Sequence, residues 1–169
     1  YSKEAGKVFT LTYAGSTSLF SQDETKPVWF ERSPTHDIVI FGQENGERVY
    51  KWDGNVDREV EEFECPFLPD GVKEFRGRLV AWGYPENKLL VYYSDLDDIE
   101  IKLTNIERFA DCPGATRIMG MVSSGNFAIV VADKGAWACQ YTGSYPFWLN
   151  QGLLSTSCSC VARGSIVDV

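Results

Sequence analysis

The sequence predicts an all-β protein: an antiparallel β-propeller-like repeat of about four blades or part-blades, with at most one short helix. Three observations carry that expectation. The 169 residues include 10 Phe, 8 Tyr, 5 Trp and 15 Gly, a mixture in which aromatics fit a pleated surface and glycine serves its turns. A strand–turn–strand unit recurs along the chain. Tyrosines near the ends of these units are spaced by 37 residues (Tyr13 to Tyr50), 42 (Tyr50 to Tyr92) and 49 (Tyr92 to Tyr141), close to the ~40–50 residues of one propeller blade.

The units can be read in order. A weak opening copy runs from Lys7 to Tyr13, takes Gly15 as its turn and returns through Thr17 to Phe20. The next runs from Asp37 to Gly42, turns at Gln43-Glu44-Asn45-Gly46 and returns from Glu47 to Gly54. Its Asn-Gly is a strong hairpin signal, because both residues tolerate positive φ. A third runs from Gly77 to Gly83, turns at Tyr84-Pro85-Glu86-Asn87 and returns from Lys88 to Asp95. A fourth runs from Asn126 to Ala132, turns at Asp133-Lys134-Gly135 and returns from Ala136 to Gly143. The first strand of a hairpin is apolar on both faces (Ile38 to Phe41, Phe127 to Ala132), as in an inner blade strand sandwiched between neighbouring sheets. The second carries Tyr50, Trp52, Tyr92, Tyr93 or Trp137 to fill the space between sheets. An antiparallel sandwich or barrel would share these hairpins; the period is what points to blades.

Between the units, Thr104-Asn105-Ile106-Glu107 fits a capping box, with Leu103, Ile106 and Ala110 at helical spacing, so a short helix or 3₁₀ turn is expected near 104–110. Val56 to Phe63 suits either two helical turns or a polar-faced strand. No linker or low-complexity tract divides the chain, so residues 1–169 read as a single domain. The apolar run Ser165 to Val169 reads as the inside of a strand, and the chain reads as a fragment of a longer polypeptide.

The formal charge of −8 argues against a sequence-independent nucleic-acid binder, which lives on Lys and Arg contacts to phosphate. No stretch approaches the ~20 apolar residues that span a bilayer. The five cysteines (Cys65, Cys112, Cys139, Cys158, Cys160) read as buried reduced thiols rather than a disulfide framework. Cys158 and Cys160 lack a second pair at zinc-ligand spacing.

Little catalytic chemistry is legible. His36, the only imidazole, lies beside Pro34 in Ser33-Pro34-Thr35-His36 and reads as a turn residue rather than half of a nucleophilic pair. Alternating carboxylates in Asp95-Leu96-Asp97-Asp98-Ile99-Glu100 could offer oxygen ligands to Ca²⁺, or one acid of a glycosidase pair. They lack the glycine and terminal Glu spacing of an EF-hand and read as a solvated loop leaving a strand. Asp53-Gly54-Asn55-Val56-Asp57 reads the same way. Trp52, Trp82, Trp137 and Trp148 could stack sugars, but at strand positions they read as blade packing. The expectation is therefore no catalytic, cofactor-binding or metal residues, no cofactor and no enzymatic activity.

The phrase Phe75-Arg76-Gly77-Arg78-Leu79-Val80-Ala81-Trp82-Gly83, then Asn87, then Val91-Tyr92-Tyr93-Ser94-Asp95-Leu96-Asp97-Asp98 resembles a one-blade segment of tailed-bacteriophage structural proteins. Gly120-Met121, Gly125 to Ala132, Lys134 to Trp137 and Tyr141-Thr142-Gly143 look like their next blade. Ser155 to Val169 is similar to the strand that follows, and the Ile38-to-Asn55 hairpin also suits. Such proteins are similar to the tail hub, or nozzle, of short-tailed phages, where several copies form a ring that genome passes through. The resemblance implies a non-enzymatic virion component, made in the host cytoplasm, that oligomerises and contacts adaptor and fibre proteins, with no sequence-specific nucleic acid and no membrane as partner. It implies no catalytic residues. The alternatives are a carbohydrate-binding or carbohydrate-cleaving propeller using Asp95, Asp97 or Asp98 with a tryptophan, and a protein–protein scaffold unrelated to viruses.

Overall fold

The structure, a computed structural model, describes residues 2–4, 7–12, 15–21, 28–33, 37–43, 48–55, 60–108, 114–143 and 148–155, with side chains placed from residue 28 to 107 and 114 to 143 within those ranges and at 152–155. Every regular element among them is a strand. The first sheet is a three-stranded meander of β1 (Ser2–Glu4), β2 (Lys7–Thr12) and β3 (Gly15–Ser21). Three four-stranded meanders follow. The second sheet holds β4 (Val28–Arg32), β5 (Val39–Gln43), β6 (Val49–Trp52) and β7 (Glu61–Glu62). The third holds β8 (Gly71–Phe75), β9 (Arg78–Trp82), β10 (Leu90–Ser94) and β11 (Ile101–Arg108). The fourth holds β12 (Ile118–Ser124), β13 (Phe127–Ala132), β14 (Ala136–Tyr141) and β15 (Trp148–Ser155). Within the sheets every strand pairing is antiparallel and between chain neighbours, and one isolated parallel bridge joins Arg78 to Asp98.

The second, third and fourth sheets stack face to face as blades do, and strand alternation explains how. Along β9, Leu79 and Ala81 enter a core with Ile40, Val49 and Phe63 of the second sheet. The intervening Val80 and Trp82 enter a different core with Ile118, Val130 and Trp137 of the fourth. The third sheet is thus buried on both faces, which is why its middle strands read as unbroken apolar runs. The first strands of these three sheets lie side by side, β8 between β4 and β12, so the three meanders run outward from a shared side. Successive first strands begin 43 residues apart (Val28 to Gly71) and then 47 (Gly71 to Ile118). The fold is all-β and propeller-like, as the sequence predicts.

Three details differ from expectation, and a fourth adds to it: the apolar strands β5 and β13, read as inner blade strands, are second in their sheets, and the innermost are β4, β8 and β12. Those carry charges the sequence reading passed over, because Lys73 on β8 meets Glu31 on β4 across the sheets at 3.4 Å. β13 is closed on one face only: Ala128, Val130 and Ala132 are buried, while Ile129 and Val131 are half-buried. Gly15 is the first residue of β3 rather than the turn, paired with Thr12. The helix or 3₁₀ turn expected near 104–110 is strand through Arg108. Of the three apolar residues of that reading, Leu103 and Ile106 are exposed and Ala110 lies outside the described residues; pairing with β10 overrides the capping-box pattern. The ambiguous 56–63 stretch ends in strand at Glu61–Glu62, with Phe63 in the core. His36, Cys112, Cys158, Cys160, the Asn45-Gly46 turn and the terminal run 165–169 lie outside the described residues.

One hairpin loop is pinned by a buried-side anion. Asp133, between β13 and β14, accepts hydrogen bonds from the amides of Thr116, Arg117 and Lys134 and from the Thr116 hydroxyl, at 2.8, 3.3, 3.0 and 2.5 Å. Burial pushes its carboxyl up, but these donors together hold it below the ordinary 3.8. A carboxyl lowered in the folded state stabilises above its unfolded pKa, and that stability drains away as pH falls through the folded value. Asp133→Asn is therefore expected to flatten the loss of stability below pH 3.8, measured as urea midpoints across acid pH; an unchanged slope would rule out this anchor.

Candidate functional site

The acidic stretch singled out in the sequence is the loop from β10 to β11, and it is folded tightly onto the β8–β9 hairpin. That hairpin turns through Arg76 and Gly77, both at positive φ (53° and 76°), the backbone that matches the twist of two tightly joined strands. Glu74 Oε1 accepts from the Gly77 amide at 2.8 Å, and the Gly77 carbonyl accepts from the Asp97 amide at 2.8 Å. Ser94, fully buried at the end of β10, accepts from the Leu79 amide at 2.9 Å. Its hydroxyl lies 2.7 Å from the Asp98 carbonyl and 2.9 Å from that of Asp95; its single proton serves one of them at a time. Arg78 donates to the Ser94 carbonyl at 2.9 Å and lies over the Tyr93 ring, 5.9 Å from its centroid.

The carboxylates are engaged by donors from β11 and from the loop backbone, and Lys102 Nζ stands between two of them, 2.5 Å from Asp95 and 3.9 Å from Asp98. Asp95 accepts from Lys102 Nζ at 2.5 Å and Asn105 Nδ2 at 2.9 Å. The hydrogen bond from Lys102 and then that from Asn105 hold its carboxyl below the ordinary value, and Asp95 raises Lys102 in return. Asp98 accepts from the amides of Ile99 and Glu100 at 2.7 and 3.2 Å. Lys102 and Asn105 reach Asp95 because β11 bulges: Tyr93 pairs with Lys102 but Tyr92 with Ile106, so residues 103–105 loop out. Among the described residues, no three His, Cys, Asp or Glu gather as a metal site would require.

Ser94→Ala is expected to lower stability by about 1–3 kcal/mol, because the Leu79 amide is left buried and unpaired. A thermal melt superposable on that of the unaltered chain would show that the Ser94 knot contributes nothing.

Three of the four tryptophans weighed as sugar platforms have placed side chains; that of Trp148 lies outside the described ones. Trp82 and Trp137 are buried, 6% and 2% exposed, and Trp52 is half-buried with its indole N–H donating to the Asn55 carbonyl at 2.9 Å. Trp82 lies over Gly71, its register partner, where an added Cβ would come within 2.4 Å of the ring; Trp29 lies over Gly42 in the same manner at 2.5 Å. These rings fill blades. The described cysteines, Cys65 and Cys139, are free thiols. Burial pushes them up to about 11 and about 12, so neither is a thiolate near neutral pH.

Sequence reasoning missed a cleft of about 360 Å³ between the second and third sheets, lined by Gln43, Arg48, Asp70, Lys88 and apolar neighbours. Lys88 Nζ stands 3.6 Å from the buried Asp70 carboxylate, and Arg48 pairs with Glu62 at 3.1 Å. Its charges, Arg48, Asp70 and Lys88, come from three separate loops spread over forty positions, so no local motif announces it. No family model matches the chain, and no curated protein sequence matches it.

The residues of the 75–98 stretch bind the third sheet together and reach across to the fourth. Gly77, Arg78, Ser94 and Asp98 knot β9, β10 and the acidic loop together. Arg76 reaches the fourth sheet's turn, donating to the Gly125 carbonyl at 2.8 Å and to Asn126 Oδ1.

Proposed function

We propose that the chain is part of a non-enzymatic structural component of a bacteriophage tail, hub- or nozzle-like, acting through protein–protein contacts in a ring that genome passes through. The observation that carries this reading is the use of the phage-like phrase: its polar residues tie strands to one another and reach the next sheet, as befits a rigid wall element. The charge of −8 suits a passage for nucleic acid, since negative walls repel phosphate and reduce sticking. Its partners would be other tail proteins and further copies of the parent chain. The carbohydrate alternative calls for an open tryptophan face beside an available carboxylate; Trp82 and Trp137 are buried and Asp95 is engaged by Lys102 and Asn105.

Electron microscopy of particles from the source genome, labelled with antibody against this chain, tests the reading. Label at a ring of the tail is expected. Particles without label on any tail part, or purified parent protein that forms no ring and associates with no tail, would overturn it.

A further inference from the structure

We infer that Asp53 is a site of spontaneous isomerisation to isoaspartate, while the fold protects the chain's other Asp-Gly dipeptide, Asp70-Gly71. The reaction requires the amide nitrogen that follows an aspartate to attack the side-chain carboxyl. The amide gives up its proton, the carboxyl loses its hydroxyl as water, and a five-membered succinimide forms. Water then reopens the ring. Cleavage at the side-chain carbonyl restores aspartate, and cleavage at the main-chain carbonyl leaves the backbone running through the side chain, one methylene longer. The net change in atoms is zero and no oxidant or reductant takes part.

Access and freedom of the following residue decide where this happens, and the two dipeptides differ in both. Asp53, Gly54 and Asn55 are exposed in the loop after β6. Gly54 has φ +84° with nothing within 4 Å of where a Cβ would stand, so its peptide can turn without collision. Asp53 Oδ1 accepts from the Asn55 amide at 2.9 Å, which folds the carboxyl back over the intervening Gly54 peptide. Asp70, by contrast, is buried. Its carboxylate faces Lys88, its amide donates to the Trp82 carbonyl at 2.8 Å, and Gly71 lies in β8 beneath the Trp82 ring. Attack there has to wait for the strand to open. Isomerisation at Asp53 would lengthen the path between β6 and β7 and disturb the Trp52–Asn55 hydrogen bond.

The test ages the full chain at mildly acidic pH and maps isoaspartate by fragmentation mass spectrometry. Cleavage after Lys51, Arg58 and Lys73 places Asp53 and Asp70 on separate peptides. In the folded chain, isoaspartate is expected to accumulate at Asp53 at least about tenfold faster than at Asp70, whose access is limited by local opening; in concentrated urea the two rates should converge. Asp53→Glu, which would need a six-membered ring, should remove the signal from its peptide with an unchanged circular dichroism spectrum. Equal rates in the folded chain, no isoaspartate at Asp53, or a signal that survives in Asp53→Glu would overturn the inference.

Discussion

Phe75→Ala is expected to remove about 3–5 kcal/mol of stability, the usual cost of emptying a buried aromatic site. Phe75 ends β8, 2% exposed. It belongs to the core between the third and fourth sheets and meets the Tyr141 ring edge-on at 6.0 Å. Truncation leaves a cavity where two sheets meet, and sheets locked by strand pairing cannot collapse into it. A typical domain has only about 5–15 kcal/mol in total, so the variant should lose a large share of its folded population. The measurement is a urea titration with Leu103→Ala as control; Leu103 is 51% exposed on β11 and its truncation should stay within about 0.5 kcal/mol. A Phe75→Ala midpoint no lower than the control's would show that the two sheets are not packed through this ring.

Gly83→Ala should be of comparable severity for a different reason. Gly83 has φ +102°, and a Cβ there would lie 2.5 Å from the Asp70 backbone nitrogen and 2.6 Å from the Asp70 Cβ and Cγ. The left-handed backbone alone costs about 1–2 kcal/mol for a side-chain-bearing residue. The collision is additional, because the atom struck is main chain that bonds to the Trp82 carbonyl and cannot swing aside. Gly54→Ala separates the two contributions: its φ of +84° brings the conformational cost with open space around it. Gly83→Ala is expected to exceed Gly54→Ala by several kcal/mol in parallel melts, or to fail to fold where Gly54→Ala folds. Equal losses would mean that Asp70 does not crowd Gly83.

How far the fold was legible follows from the same physics. Strands β5, β6, β9, β10, β13 and β14 could be found because each is an apolar or aromatic run with a turn signal at its end. Tyr50, Tyr92 and Tyr141 mark the third strand of each described four-stranded sheet, so the tyrosine period measured something real. Most of its drift from 42 to 49 lies in the strands themselves, which begin 41 residues apart (Val49 to Leu90) and then 46 (Leu90 to Ala136). The first strands were harder. Gly71-Val72-Lys73-Glu74-Phe75 alternates poorly because Lys73 is neutralised by Glu31, a partner 42 positions away that no local window contains. The capping box at Thr104 misled for a related reason: its residues form a bulge around Asp95, a tertiary contact that outweighs local helical preference. The acidic stretch does lie in a loop leaving a strand, yet its tight folding onto the Gly77 turn was not legible, because it depends on Ser94 and Arg78, whose neighbours in space are not their neighbours in sequence.

The bulge at residues 103–105 changes what the outer edge of the third sheet offers to another chain. β11 is the outermost strand of its sheet, and an outermost strand offers unpaired amides and carbonyls on which a foreign chain could extend the ladder. Three looped-out residues interrupt that row, and Lys102 stands at its margin as a charge that an incoming strand would have to desolvate. The sheet thus carries its own guard against edge-to-edge aggregation.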